Sequence, residues 1–237
     1  MRLLVTRPIE DALATAATLR ARGHAPVISS LMEVRFHDGS PIMLNGMQAV
    51  LATSANGVRG LAMRSERRDV PLYAVGPQTA EAAMSVGFTN VTSAEGDSNA
   101  LAETVAVQLD PANGAVFHAA GAETAGRLRQ TLQARGFTVE SEVLYDAVPM
   151  PALSEEATKD LREDALDGVL LYSPRSTKIF ATLVAEADLA DKCARLDAFC
   201  ISAATASALA PLAFARVAVA GVPNQDGILA LIPEPAV

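Results

Sequence analysis

A fold of two parallel α/β sheets is predicted by three features of this 237-residue chain. Short, continuous apolar runs alternate with Ala- and Leu-rich stretches of helical character. Most of the runs stop on small hydroxyl or glycine residues directly before the next helix. The alternation is also written twice. Continuous apolar strands, as opposed to half-polar ones, belong to parallel sheets covered on both faces.

The elements follow in order. Residues 2–6 read as a strand, 9–22 as a helix closed by Gly23, and 25–30 as a second strand. A strand at 48–53 leads into a helix at 55–64. Next come a strand at 72–75, a helix from Pro77, a short strand near Val91 and a helix at 98–108. A strand at 115–118, a helix to Arg135 and a strand at 138–143 follow. The last part reads as a helix at 153–165, a strand at 168–172, a helix from Pro174, a strand at 198–201, a helix from Ala203, a strand at 217–219 and a helix at 225–231.

The duplication rests on three matches in the same order. Leu19-Arg-Ala-Arg-Gly23 recurs as Leu132-Gln-Ala-Arg-Gly136, and Leu51-Ala-Thr-Ser54 as Leu170-Leu-Tyr-Ser173. Ala74-Val-Gly-Pro-Gln-Thr-Ala80 recurs as Cys200-Ile-Ser-Ala-Ala-Thr-Ala206. The chain is two copies of a unit of roughly 115 residues. Each copy opens with strand, helix, strand and then an extended segment, at 31–36 and 143–148. These segments read either as loops or as a pair of strands crossing between domains.

Half of the residues are hydrophobic, Trp is absent and the formal net charge is -8. Nucleic acid and anionic membranes require clustered Lys and Arg, so neither is an expected partner. A small anion held by a few local donors stays possible. Cys193 and Cys200 show neither CxxC nor metal-ligand spacing and read as reduced thiols. The opening apolar run is too short for a signal peptide, and the most apolar window, 203–222, is broken by Pro211 and Arg216. A cytoplasmic protein is the expectation.

The chemistry concentrates at four strand ends: Thr53-Ser54, Gly76-Pro-Gln-Thr79, Tyr172-Ser173 and Ser202-Ala-Ala-Thr205. Ligands of parallel α/β sheets sit beyond such ends. A hydroxyl there caps its helix, or joins the free N–H groups and the helix dipole in holding a carboxylate or phosphate. Arg7, in Thr6-Arg7-Pro8, stands where the helix dipole disfavours a cation, so it is either a surface residue or aimed at a carboxylate. No GxGxxG follows a strand, and neither GxxxxGK[ST] nor GxSxG is present. His24, His37 and His118 are scattered and read as structural or surface residues, although His118 ends a strand. Tyr145 packs at a domain junction or donates a proton to a leaving hydroxyl.

As an ordered set these pieces resemble the uroporphyrinogen-III synthase family. The set is Leu4-Val-Thr-Arg-Pro8, Ala52-Thr-Ser-Ala-Asn56, Ala74-Val-Gly-Pro-Gln-Thr-Ala80, Glu95-Gly-Asp-Ser-Asn-Ala100, Val143-Leu-Tyr145, Leu171-Tyr-Ser-Pro-Arg175 and Ile201-Ser-Ala-Ala-Thr-Ala206. Together they span almost the whole chain.

The resemblance implies two flavodoxin-like domains joined by a two-stranded connector, with the active site in the cleft between them. Residues 1–34 and 150–237 would form one domain, 39–144 the other, and 35–38 with 145–149 the connector. It also implies a cofactor-free, metal-free reaction. Hydroxymethylbilane loses its terminal hydroxyl, ring D attacks through its substituted carbon to give a spiro intermediate, and reclosure yields uroporphyrinogen III with ring D inverted. The substrate carries eight carboxylates. By this resemblance Thr53, Ser54, Asn56, Gly76, Thr79, Ser98, Ser173, Arg175 and Thr205 contact them, with Arg7 and Lys178 as further candidates, and Tyr145 assists hydroxyl departure. A monomer receiving substrate from hydroxymethylbilane synthase is implied as well. Ser202 departs from the Gly-Pro-x-Thr form kept at Gly76, and the Asn56-Gly57 turn is looser than the family pattern. The rival reading is a two-domain binding module for a small polyanionic metabolite.

Overall fold

A computed structural model describes residues 1–122 and 125–234. The strands are β1 (Arg2–Val5), β2 (Ala25–Ile28), β3 (Met32–Phe36), β4 (Met47–Ala52), β5 (Leu72–Ala74), β6 (Val91–Ser93), β7 (Ala115–Gly121), β8 (Val139–Pro149), β9 (Gly168–Leu171), β10 (Asp197–Cys200) and β11 (Arg216–Val219). The α-helices are α1 (Ile9–Ala21), α2 (Ala55–Arg64), α3 (Pro77–Ser85), α4 (Ser98–Gln108), α5 (Ala125–Gln133), α6 (Glu155–Arg162), α7 (Pro174–Glu186), α8 (Ala203–Ser207) and α9 (Gln225–Leu229). Among the described residues, no helix is long and apolar enough to cross a membrane.

The chain divides into two compact units, Met1–Glu33 with Val148–Val237, and Val34–Ala147. The first unit holds a five-stranded sheet in the order β11-β10-β9-β1-β2, parallel throughout. The second holds six strands in the order β3-β8-β7-β4-β5-β6, parallel from β8 to β6. The continuous apolar strands have the burial that parallel sheets demand: Leu3, Leu4 and Val5 of β1 and Ala49 to Ala52 of β4 are fully enclosed. In each unit two clusters of buried side chains form the core. Phe180, Leu183 and Val184 of α7 join Leu4 and Val169 in one, and Ala12 and Leu19 of α1 join Leu3, Val5 and Phe199 in the other. Val58 and Leu61 of α2 pack with Val50 and Leu72, while Leu101 and Val105 of α4 pack with Leu51 and Val116.

The sheet orders expose the duplication. In the first unit β2 and β1 adjoin β9, β10 and β11; in the second β8 and β7 adjoin β4, β5 and β6. In each unit the first two strands of one copy therefore pair with the last three of the other. The two layouts coincide, and the matched peptides fall on matched elements: Gly23 and Gly136 follow α1 and α5, and Ser54 and Ser173 cap α2 and α7.

The structure refines one reading of the sequence. The strand expected at 138–143 and the extended segment at 143–148 form one strand, β8, of eleven residues. No Gly or Pro interrupts the run before Pro149. A bulge takes the place of a break: Ala120 pairs with Val143 and Gly121 with Tyr145, leaving Leu144 as the extra residue. The unit boundaries fall inside β3 and β8, so the chain passes from one unit to the other along these two strands. The sixth helix is shorter than read, because Ser154 starts it by accepting from Ala157 N–H.

Candidate active site

In an open parallel sheet the ligand crevice lies where successive connections leave for opposite sides. In the second unit that point is between β7 and β4. The end of β4 supplies Thr53 and Ser54, both half-buried. Ser54 is the N-cap of α2, accepting from Gly57 N–H at 3.0 Å. The helix starts hard against β7: a Cβ at Gly57 would lie 2.4 Å from Ala119 O. That contact is the reason the Asn56-Gly57 turn carries glycine.

Tyr145 arrives at the same point from β8. It is 8% exposed, and its phenol oxygen lies 2.8 Å from Ser54 Oγ. The ring rests on Gly121, where a Cβ would sit 2.5 Å from Tyr145 Cζ. The bulge at Leu144 directs the side chain there, and α2 makes room for the bulge: a Cβ at Gly60 would lie 2.9 Å from Leu144 Cβ. Asn56 faces Arg59 one turn on, accepting from its guanidinium at 2.7 Å. The i, i+3 spacing of these two residues places them on one helix face, a legible signal that leaves Arg59 unremarked only because no chemistry motif contains it. Beneath Thr53, His118 is fully buried, with Nε2 at a long 3.5 Å from Thr53 Oγ1. Burial lowers its pKa from 6.5 to about 4, so the imidazole is neutral at pH 7.

One strand further out, Gly76 precedes α3 in an extended conformation with no side-chain cap. Thr79 N–H bonds back to Gly76 O, and the Thr79 side chain is buried. Beyond it Ser98 opens α4, but the N-cap is Asp97, whose carboxylate accepts from Asn99 and Ala100 N–H. Those hydrogen bonds hold the Asp97 pKa below its usual value. An acid therefore already occupies this helix N-terminus, and Ser98 can offer only its own hydroxyl.

The first unit repeats the layout with different side chains. Ser173 caps α7 by accepting from Ser176 N–H at 3.1 Å. Arg175 lies in the first turn of that helix, and Lys178 is exposed one turn on. Ser202 caps α8, and its Oγ is 3.0 Å from Thr205 Oγ1, which is fully buried. Ser202 has φ -156 and Gly76 has φ -166, so both are extended and neither demands glycine. Arg7 is tied into its own unit. Its guanidinium donates to Asp11 at 3.0 Å and Gln225 at 2.8 Å and lies 4.4 Å above the Tyr172 ring. At the end of β7 the second unit has Ala119, Ala120 and Gly121 in place of Thr6-Arg7-Pro8, and the small residues leave the space that Tyr145 fills.

The structure thus gathers Thr53, Ser54, Asn56 and Tyr145 at one switch point, with Gly76 and Thr79 on the neighbouring strand end. It gathers Arg7, Ser173 and Arg175 at the corresponding point of the other unit, with Thr205 one strand away. Gly60 and Gly121 carry no motif in the sequence and Gly57 stands there only as a loose turn, yet Leu144, Tyr145 and Ala119 press against the three of them.

Two doubly wound parallel sheets, with hydroxyls and helix N-termini at both switch points, define a two-unit α/β protein suited to a polyanionic ligand. The uroporphyrinogen-III synthase HemD family model (HEM4) matches residues 13–230. The chain belongs to the uroporphyrinogen-III synthase family, lyases of tetrapyrrole biosynthesis. The fold agrees with uroporphyrinogen-III synthetase from Helicobacter pylori, at 17% identity, covering 98% of each chain with a TM-score of 0.64. A mutant uroporphyrinogen III synthase from Thermus thermophilus matches at 16% identity, covering 97% of this chain and 96% of that one, with a TM-score of 0.54. No curated protein sequence matches the chain significantly.

Proposed function

We propose that the chain converts hydroxymethylbilane to uroporphyrinogen III, with loss of water and inversion of ring D, and that Tyr145 supplies the proton for the first step. The observation carrying this reading is the Tyr145–Ser54 pair, 2.8 Å apart on the glycine floor of Gly121. Ser54 Oγ already accepts from Gly57 N–H and has one proton to give. When it gives that proton to the tyrosine oxygen, the phenol is the acceptor toward Ser54 and can direct its own O–H to the substrate. The phenol passes its proton to the terminal hydroxyl as the carbon–oxygen bond breaks, and water leaves. The pyrrole nitrogen supplies the electrons for that departure. Ring D then attacks the electrophilic carbon, and the proton lost when the final macrocycle rearomatises returns to the tyrosinate. Ser54 thereby acts as the partner that orients Tyr145.

Most of the remaining candidates hold carboxylates. α3 starts without a side-chain cap, so the positive end of its dipole suits an anion, although Pro77 has no N–H and Thr79 N–H bonds to Gly76 O. Asn56 uses its carbonyl oxygen on Arg59 and keeps its NH₂ group for a carboxylate. Arg175, Lys178 and the hydroxyls of Thr53, Ser98 and Ser173 extend this set. Thr79 and Thr205 are buried and support the turns at Gly76 and Ser202. Arg7, paired with Asp11, shapes the first unit's switch point. The protein carries a net charge of -8 and its substrate eight carboxylates by family resemblance, so local donors outweigh bulk repulsion only at short range. We place the protein in the cytoplasm as a monomer fed by hydroxymethylbilane synthase; its cysteines, Cys193 and Cys200, are free and buried.

The test supplies purified protein with enzymatically generated hydroxymethylbilane and resolves the oxidised porphyrin isomers. Type III product is expected. Type I product alone, matching the enzyme-free control, overturns the reading, and stoichiometric binding without turnover would instead indicate a binding module.

A further inference from the structure

His37 makes three hydrogen bonds, all to the bulged stretch of β8. Its backbone N–H donates to Leu144 O at 2.8 Å. Its ring Nδ1 lies 3.1 Å from Val143 O, and Nε2 lies 2.7 Å from Asp146 Oδ2. A carbonyl and a carboxylate are both acceptors. A neutral imidazole has one N–H and one lone pair, so it satisfies one of them and turns a lone pair on the other. Only the imidazolium donates to both.

The surroundings agree with a charged ring. The hydrogen bond to Asp146 raises the His37 pKa above 6.5, against a smaller lowering by partial burial, and Val143 O adds to the rise. Arg64 of α2 opposes it, but that guanidinium is itself paired with Glu142 at 2.5 Å and with Ser40 O at 2.8 Å. Arg35 of β3 and Asp38 flank His37 along the chain.

The pinned stretch carries Tyr145. Gly121 and Ser54 fix the ring from the β7 and β4 side. On its other side β8 neighbours β3, which is the sheet edge among the described residues. Bulges lose ladder hydrogen bonds and re-aim side chains near active sites. His37, just past the end of β3, supplies bonds at residues 143, 144 and 146, on both sides of the tyrosine.

We infer that His37 is a positioning residue for the dehydration step: clamped as an imidazolium between Val143 O and Asp146, it holds the bulge that aims Tyr145. The inference rests on the synthase reading and on the role of Tyr145 within it. Loss of the ring proton releases one of the two side-chain bonds. The phenol is then less well placed for proton transfer, while the carboxylate-holding groups on other strands are untouched. The effect falls on kcat and spares KM.

The experiment measures kcat and KM from pH 5.5 to 9 for the full chain, subtracting spontaneous cyclisation, for wild type, His37→Gln and Asp146→Asn. A ring-nitrogen NMR titration reads the His37 pKa without reference to activity. Wild type is expected to lose kcat on an alkaline limb with an apparent pKa above 6.5. His37→Gln is expected to lower kcat about 3–10-fold near pH 6, keep KM within about twofold and lack that limb. Asp146→Asn should move the limb to lower pH, and it carries the test if His37→Gln does not fold. Type III product with an unchanged limb in a folded His37→Gln, or a His37 pKa at or below 6.5, overturns this inference alone. Type I product from wild type overturns it together with the synthase reading.

Discussion

The phenol of Tyr145 and the hydroxyl of Ser54, 91 residues apart in sequence, meet at 2.8 Å across β7, Ser54 from the end of β4 and Tyr145 from within β8. Ser54 is at once the cap of α2 and the partner of the tyrosine. Tyr145→Phe is expected to lower kcat roughly 10–100-fold with KM nearly unchanged, because general-acid assistance is lost and binding is not. Ser54→Ala should lower kcat several-fold and cost about 0.5–2 kcal/mol of stability through the lost cap. In a double-mutant cycle Ser54→Ala should add little to Tyr145→Phe. Additive losses in kcat would mean that Ser54 acts independently of the tyrosine.

Gly121 is the floor under the ring. A methyl group there would lie 2.5 Å from Tyr145 Cζ and 2.6 Å from its oxygen, so the ring must move. Gly121→Ala should reduce kcat to nearly the level of Tyr145→Phe, at a stability cost of about 1–3 kcal/mol from overpacking. Wild-type turnover in this variant would show that the observed ring position is not the reactive one.

Gly76 and Ser202 occupy matched turns, yet only Ser202 caps its helix. A Cβ at Gly76 meets nothing within 4 Å, so Gly76→Ser fits. The new hydroxyl would cover the helix end proposed for a carboxylate. KM is expected to rise several-fold while stability changes by a few tenths of a kcal/mol at most. An unchanged KM in calorimetric or kinetic titration removes α3 from the binding surface.

His118 should make the second unit sensitive to acid. Its folded pKa is about 4 against an ordinary 6.5, because burial disfavours the charged ring. For a depressed histidine the unfolded chain binds the extra proton first. Stability is therefore complete above pH 6.5 and falls as pH drops from there to about 4, by a total on the order of 3 kcal/mol. Urea midpoints measured across that window should show the loss in wild type and much less of it in His118→Leu. Parallel curves would mean the ring protonates without cost.

The sequence by itself determined the repeating strand–helix units, their duplication and the hydroxyl-bearing strand ends, because these are local: apolar runs, capping residues and turns declare themselves within a few positions. The resemblance then brought the reaction, Tyr145 and a division into discontinuous domains into view as expectations. Tertiary structure decided what local signals cannot carry. Strands β1 and β2 join β9 to β11, and β7 and β8 join β4 to β6, although contiguous copies would satisfy the same periodicity. Which strands pair depends on burial summed over distant segments, and no short window contains that sum. For the same reason Gly57 and Gly121 look like ordinary turn residues until Ala119 and Tyr145 press against them. His37 likewise reads as a scattered surface histidine until β8 brings it two acceptors.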